Sequence, residues 1–162
     1  MNLMIVIFSA MLKVLPGDFT INYNFVSGTI GPPNSYKYSV TIDAKGKGVI
    51  TFTPNQVFDT VWTEKFNVPR KEIKKFAKQL KTSGFYENSW AKKDKYPVGG
   101  SVEYLEITAN GKKYTIPTFP VDKGNAETVL KSVKSFIPQN LLDSLIAKKE
   151  KAIEEYIKSK EQ

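Results

Sequence analysis

The sequence lacks two residue types on which many active sites depend. None of its 162 residues is cysteine, and none is histidine. Without cysteine the chain can form no disulfide, no thiol nucleophile and no iron–sulfur cluster. Without histidine it has neither the commonest general base nor the commonest metal ligand. Catalysis of the Ser-His-Asp or Cys-His type is therefore excluded, as are zinc sites built on these ligands.

A long hydrophobic run is also missing at the N-terminus, where the unbroken apolar stretch extends only from Leu3 to Phe8. This stretch is too short for a membrane span, and no basic residue precedes it as in a secretory signal. Residues 1–17 are open to three interpretations: an added strand, a weak signal peptide, or sequence upstream of a start at Met11. We favour a segment without targeting function. We therefore expect a cytoplasmic protein with no transmembrane span, in which residues 18–162 form a single domain.

Alternation of apolar and polar residues predicts several β-strands. Residues 18–26 place Phe19, Ile21 and Tyr23 on one face and polar residues on the other, as expected for a half-buried strand. Asn110-Gly111 predicts a tight hairpin between two later strands. The predicted strands cover residues 18–26, 36–42, 49–53, 60–66, 102–108 and 112–116.

Helical spacing of apolar residues predicts three helices, over residues 69–82, 125–136 and 138–160. Pro69 suits the start of the first helix, and Gly84 suits its C-terminal cap. Strands joined by short turns favour antiparallel pairing. We predict the α+β fold class: an antiparallel sheet of about six strands, helices covering one face, and a long C-terminal helix.

The positive charge is concentrated in one part of the chain. The net charge is +8, and residues 61–97 hold ten basic and four acidic side chains. Basic residues interleaved with aromatic rings are typical of surfaces that bind single-stranded nucleic acid. They would equally suit an anionic membrane surface or an acidic patch on a protein. The candidate binding residues are Arg70, Lys71, Lys74, Lys75, Lys78, Lys81, Trp90, Lys92, Lys93 and Lys95.

Other interpretations of this region are open. Charged residues commonly form the solvated face of a helix, and aromatic residues in loops commonly fold back into the core. Many lysines together with many Ile, Asn, Tyr and Phe also suit an AT-rich genome. Arg70 is the only arginine, so the bidentate groups that recognise phosphate or guanine are nearly absent.

The remaining motifs predict no metal, no cofactor and no catalytic centre. Glu103 and Glu106 differ in strand parity, so they are expected on opposite faces of the sheet. The glycine-rich stretches at 28–33 and 98–101 suit turns better than phosphate loops, because proline removes backbone donors and a strand follows the second stretch. Tyr23, Tyr36 and Tyr38 could form a stacking platform, although core tyrosines explain them more simply.

The sequence thus predicts a small, non-enzymatic binding or interaction module. Its expected working surface is the basic helix 69–82 with the loop 85–96, and its partner is an unknown protein or a polyanion. An alternative is a polyanion or single-stranded nucleic-acid binder that uses the same surface. If the partner is a protein, Ile153, Tyr156 and Ile157 of the last helix are expected to matter more than the lysines.

Overall fold

Nine elements of secondary structure lie along the chain in a computed structural model, which describes residues 15–28, 34–54, 60–88, 90, 100–118, 120 and 123–161. The strands are β1 (Thr20–Val26), β2 (Lys37–Asp43), β3 (Lys47–Thr53), β4 (Trp62–Asn67), β5 (Val102–Ala109) and β6 (Lys112–Ile116). The helices are α1 (Arg70–Thr82), α2 (Lys123–Lys134) and α3 (Gln139–Lys160). The predicted α+β class is confirmed, including the long C-terminal helix.

The six strands form one antiparallel sheet in the order β4-β3-β2-β1-β5-β6. The first four strands pair with their neighbours along the chain, as the short turns predict. β1 also pairs with β5, from Thr20 opposite Thr108 to Val26 opposite Val102. This second pairing makes β1 a central strand and joins the two halves of the sheet.

The core lies between one face of the sheet and the helices. Alternate residues of β1, such as Ile21 and Tyr23, are buried, whereas Asn22 and Asn24 on the other face are partly exposed. Helix α1 contributes Ile73, Phe76 and Leu80 to the core, and α3 contributes Leu145. Leu15 also belongs to this core; the predictions for residues 1–14 lie outside the described residues.

The turn between β2 and β3 contacts the chain where α1 begins. Gly46 has φ +85°, and a Cβ there would collide with the carbonyl of Val68, so this position requires glycine. The Gly46 carbonyl accepts a hydrogen bond from Val68 N at 2.8 Å. Because Pro69 follows immediately and precedes the first helical residue, this contact fixes where α1 leaves the sheet.

Candidate anion-binding surface

The cationic residues of α1 lie together on its exposed side. With Ile73 at the centre of the buried side, 100° per residue places them within an arc of about 140° that faces solvent. All of them are exposed. This group, the cationic face, consists of Arg70, Lys71, Lys74, Lys75, Lys78 and Lys81.

No counter-charge accompanies the cationic face among the described residues. The ion pairs of the described chain join Lys113 to Glu106, Lys134 to Glu103, and Lys151 to Glu155. None of them involves α1. The helix has one acidic residue, Glu72, which is partly buried in its first turn. Among the described residues, no acidic side chain therefore pairs with the cationic face.

The spacing of these charges disfavours the isolated helix. Lys71 and Lys75, and likewise Lys74 and Lys78, are four residues apart and lie on the same side of the helix. Like charges at this spacing destabilise a helix by about 0.2–0.5 kcal/mol per pair. A bound anion would remove this repulsion, so binding and helix stability act in the same direction.

The segment that contains α2 contacts α1 through one polar and one aromatic pair. Gln79 Nε2 donates to Ser132 Oγ of α2 at 3.2 Å, and the ring of Phe76 meets that of Phe136 edge-on at 5.4 Å. Ser132 of α2 and Phe136, which follows α2, therefore both contact α1 and hold it against the body. The cationic face is thus borne by a helix whose other side is anchored in the core.

The end of α1 confirms the predicted glycine cap. Gly84 has φ +67°, and Phe85 N donates to the carbonyl of Leu80 at 3.0 Å, a bond that closes the last turn around a left-handed residue. Phe85 is fully buried. The chain therefore turns inward directly after the cationic face.

The aromatic residues that follow α1 pack against the body. Trp90 Nε1 donates to the carbonyl of Phe85 at 3.2 Å, and the two rings are 5.5 Å apart. Tyr86 meets Tyr114 of β6 edge-on at 4.8 Å. Trp90 is partly exposed and packs against Phe85. Lys92, Lys93 and Lys95 lie outside the described residues.

A row of aromatic rings crosses four strands on the helix-covered face. Tyr38 stacks on Phe25 at 5.0 Å, Tyr36 on Phe52 at 5.4 Å, and Phe52 on Trp62 at 5.8 Å. We call Phe25, Tyr36, Tyr38, Phe52 and Trp62 the ring row. Tyr36 and Tyr38 do stack, at 6.5 Å, but Tyr38 is buried and Tyr36 partly buried, so they form no open platform. Alternation along each strand predicts the burial of these rings, whereas their alignment depends on the strand register.

Two lysines of α3 lie over the ring row. Lys148 Nζ is 4.5 Å from the centre of the Trp62 ring, and Lys149 Nζ is 5.1 Å from that of Tyr36. Lys149 is only 6% exposed, and its ammonium also donates to the carbonyl of Asn34 at 3.5 Å. These two lysines therefore take part in packing and do not extend the cationic face.

The carboxylates of β5 are engaged in separate ion pairs. Glu103 accepts from Lys134 of α2 at 2.8 Å, and Glu106 pairs with Lys113 of β6 at 3.0 Å. The predicted separation of the two acids onto opposite faces follows from the strand parity and is confirmed by these partners. Nearby, the buried Tyr23 hydroxyl has no hydrogen-bond partner among the described residues, and burial raises its pKa. Each acid thus has its own lysine partner, and the two carboxylates lie on opposite faces of the sheet.

Comparison with known proteins assigns the chain to no family: no protein-family model and no curated protein matches it. In the described part of the chain, no group of three or more acidic residues could hold a metal ion. Within the same residues, no helix is long and apolar enough to cross a bilayer. The cationic face carries six exposed cations that form no ion pair with a described residue.

Proposed function

We propose that the protein is a non-enzymatic binding module that engages an anionic partner through the cationic face of α1. The observation that carries this proposal is the set of exposed cations on one anchored helix, with no ion pair to any described residue. Solubility alone does not require a surface of one sign, because a surface with both signs of charge interspersed is equally soluble. We place the activity in the cytoplasm, as the N-terminal sequence predicts.

The proposal requires binding that depends on these positions and not simply on the net charge of +8. The test variant reverses the charge of Lys74, Lys75 and Lys78 to glutamate. The matched control reverses three other exposed lysines, Lys37, Lys47 and Lys65, which lie on the strands. Both variants change the net charge equally, so a non-specific attraction of the whole molecule would weaken equally in both.

Fluorescence anisotropy with labelled heparin and labelled oligonucleotides measures the effect. We expect the α1 variant to lose at least tenfold in affinity at about 50 mM salt, whereas the control changes less than threefold. Circular dichroism verifies that both variants retain the fold. Equal losses in the two variants, or no binding of any anionic probe by the parent protein, would contradict the proposed function.

A further inference from the structure

The cationic face offers charge and no exposed large apolar side chain. The exposed large apolar residues of the described chain are Val26, Val61, Tyr156 and Ile157, and none of them lies on α1. Trp90, the ring that the sequence places beside the lysines, has its indole N–H bonded to Phe85. Among the described residues, the cationic face therefore has no fully exposed ring for a base to stack on and no exposed large apolar side chain to enter a lipid layer.

We infer that the cationic face binds the phosphate backbone of double-stranded nucleic acid in preference to a single strand. This inference rests on the proposed function and names its partner. Single-strand binders gain much of their affinity from bases stacked on aromatic side chains, and α1 carries no exposed ring that would supply that contribution. The remaining contribution to affinity is the release of counterions, which favours the nucleic acid of higher charge density, the duplex.

The size of the preference follows from this electrostatic contribution. A plot of the logarithm of the association constant against the logarithm of the salt concentration has a negative slope. Each phosphate contact contributes about −0.9 to this slope for a duplex and about −0.7 for a single strand. Four contacts at about 50 mM salt then favour the duplex by about tenfold, if all other contributions are equal. The preference decreases as salt is added, because both affinities converge.

The dimensions of α1 suit such a partner. Its 13 residues span about 20 Å, since each helical residue rises by 1.5 Å. A duplex carries one charge per about 1.7 Å of axis, so about a dozen phosphates lie along the same length. The cations of α1 can therefore meet several phosphates at once without a conformational change in the helix.

The same side chains predict binding without sequence preference. Lysine carries a mobile point charge, whereas direct reading of base edges depends largely on the forked groups of arginine, asparagine and glutamine. On α1 the amide of Gln79 already bonds to Ser132, and Arg70 is the only arginine. We expect duplexes of different sequence and equal length to bind within threefold of one another.

Competition anisotropy tests the inference with a duplex of about 20 base pairs, one of its strands alone, and a duplex of shuffled sequence, at about 50 and 200 mM salt. We expect about tenfold tighter binding of the duplex at the lower salt, a narrower gap at the higher salt, and a loss of duplex binding in the variant with Lys74, Lys75 and Lys78 changed to Glu. The variant with Lys37, Lys47 and Lys65 changed to Glu is the control. Trp90→Phe should leave the ratio of duplex to single-strand affinity unchanged.

Each contrary result separates the two proposals. Equal or tighter binding of the single strand, still lost in the α1 variant, overturns the duplex preference but leaves the anion-binding module. The protein could instead bind only vesicles of phosphatidylcholine with about a third phosphatidylserine, and lose this binding in the α1 variant. That result also overturns the duplex preference, leaves the anion-binding module, and indicates a membrane partner. Binding that is unaffected by the α1 variant, or no binding to any probe, overturns both.

Discussion

Two lysine-rich helices of this protein use their charge in opposite ways. Helix α1 has six cations and one acid, and its cations are exposed without ion pairs to described residues. Helix α3 has five lysines and four acids. Of these lysines, Lys148 and Lys149 lie over aromatic rings, and Lys151 pairs with Glu155 at 3.9 Å.

The comparison shows that lysine content alone does not identify a binding surface. Four of the five lysines of α3 have a ring, a carbonyl or a carboxylate of the molecule itself as a neighbour, and four acids on the same helix offset their charge. Those of α1 have no such partners among the described residues. The relevant quantity is the charge that remains after these contacts, and it distinguishes the two helices where their composition does not.

The largest expected effect is a difference in stability between two variants, each of which reverses the charge of one lysine, in α3 and in α1. Lys149→Glu would bury a carboxylate against the Tyr36 ring and the Asn34 carbonyl, and we expect it to lower the free energy of unfolding by about 3–5 kcal/mol. Lys75→Glu makes the same charge change on an exposed site, and we expect it to be neutral or slightly stabilising. Urea denaturation of both variants gives the difference. Lys149→Met, which keeps the buried stem without the charge, should retain most of the stability; equal values for the two glutamate variants would contradict the buried position of Lys149.

Alkaline pH probes the ring row beneath α3 without mutation. Burial raises the pKa of Tyr38 from its ordinary 10.0 to about 12. Below pH 10 the Tyr38 hydroxyl is protonated in both the folded and the unfolded chain, so its contribution to stability is fully present. Between pH 10 and 12 it ionises in the unfolded chain but not in the folded one, so the free energy of unfolding falls. The loss is about 1.4 kcal/mol per pH unit, or about 3 kcal/mol in all from Tyr38.

Denaturation midpoints measured from pH 9 to 12 follow this loss. Burial shifts the pKa of Tyr23 in the same direction, so its loss continues at higher pH. Tyr38→Phe should flatten the profile between pH 10 and 12. A variant whose profile retains the slope of the parent protein would show that the Tyr38 hydroxyl is not buried in solution.

The smallest expected effect concerns salt. Because like charges repel along α1, salt should stabilise the helix through screening, and Lys78→Gln should reduce this stabilisation by a few tenths of a kcal/mol. Lys151→Gln in α3 removes a favourable pair with Glu155 and should lower stability slightly at low salt. Thermal unfolding at low and high salt compares them. A salt response of the same sign and size in both variants would remove the electrostatic distinction between the helices.

Much of the fold is predictable because local signals determine the elements. The Asn110-Gly111 hairpin is confirmed, with φ of 53° and 71° at these two residues, and the predicted strands agree with the observed ones to within a few residues. The pairing of β1 with β5 is not predictable in this way. Turn signals connect strands that are neighbours along the chain, whereas this pairing depends on how the whole sheet buries its apolar face.

The candidate site is predictable in part for a similar reason. Helical spacing assigns Lys74 and Lys78 to the exposed side of α1, and the structure places them there. Spacing also aligns Leu145, Lys149 and Ile153, which form the buried stripe of α3. Residue type argues against burying a lysine, and only the tertiary contact with Tyr36 overrides it. The inward position of Trp90 likewise depends on packing against Phe85 and not on local sequence.

The strand order also has a consequence for synthesis of the chain. β1 lies between β2 and β5, yet β5 follows β2, β3, β4 and α1 along the chain. The four-strand meander and α1 can therefore form on the ribosome before β5 emerges, while the pairing of β1 with β5 must close a long loop and is expected to be slow. Until then the central strand of the finished sheet is an unpaired edge, open to association with another nascent chain.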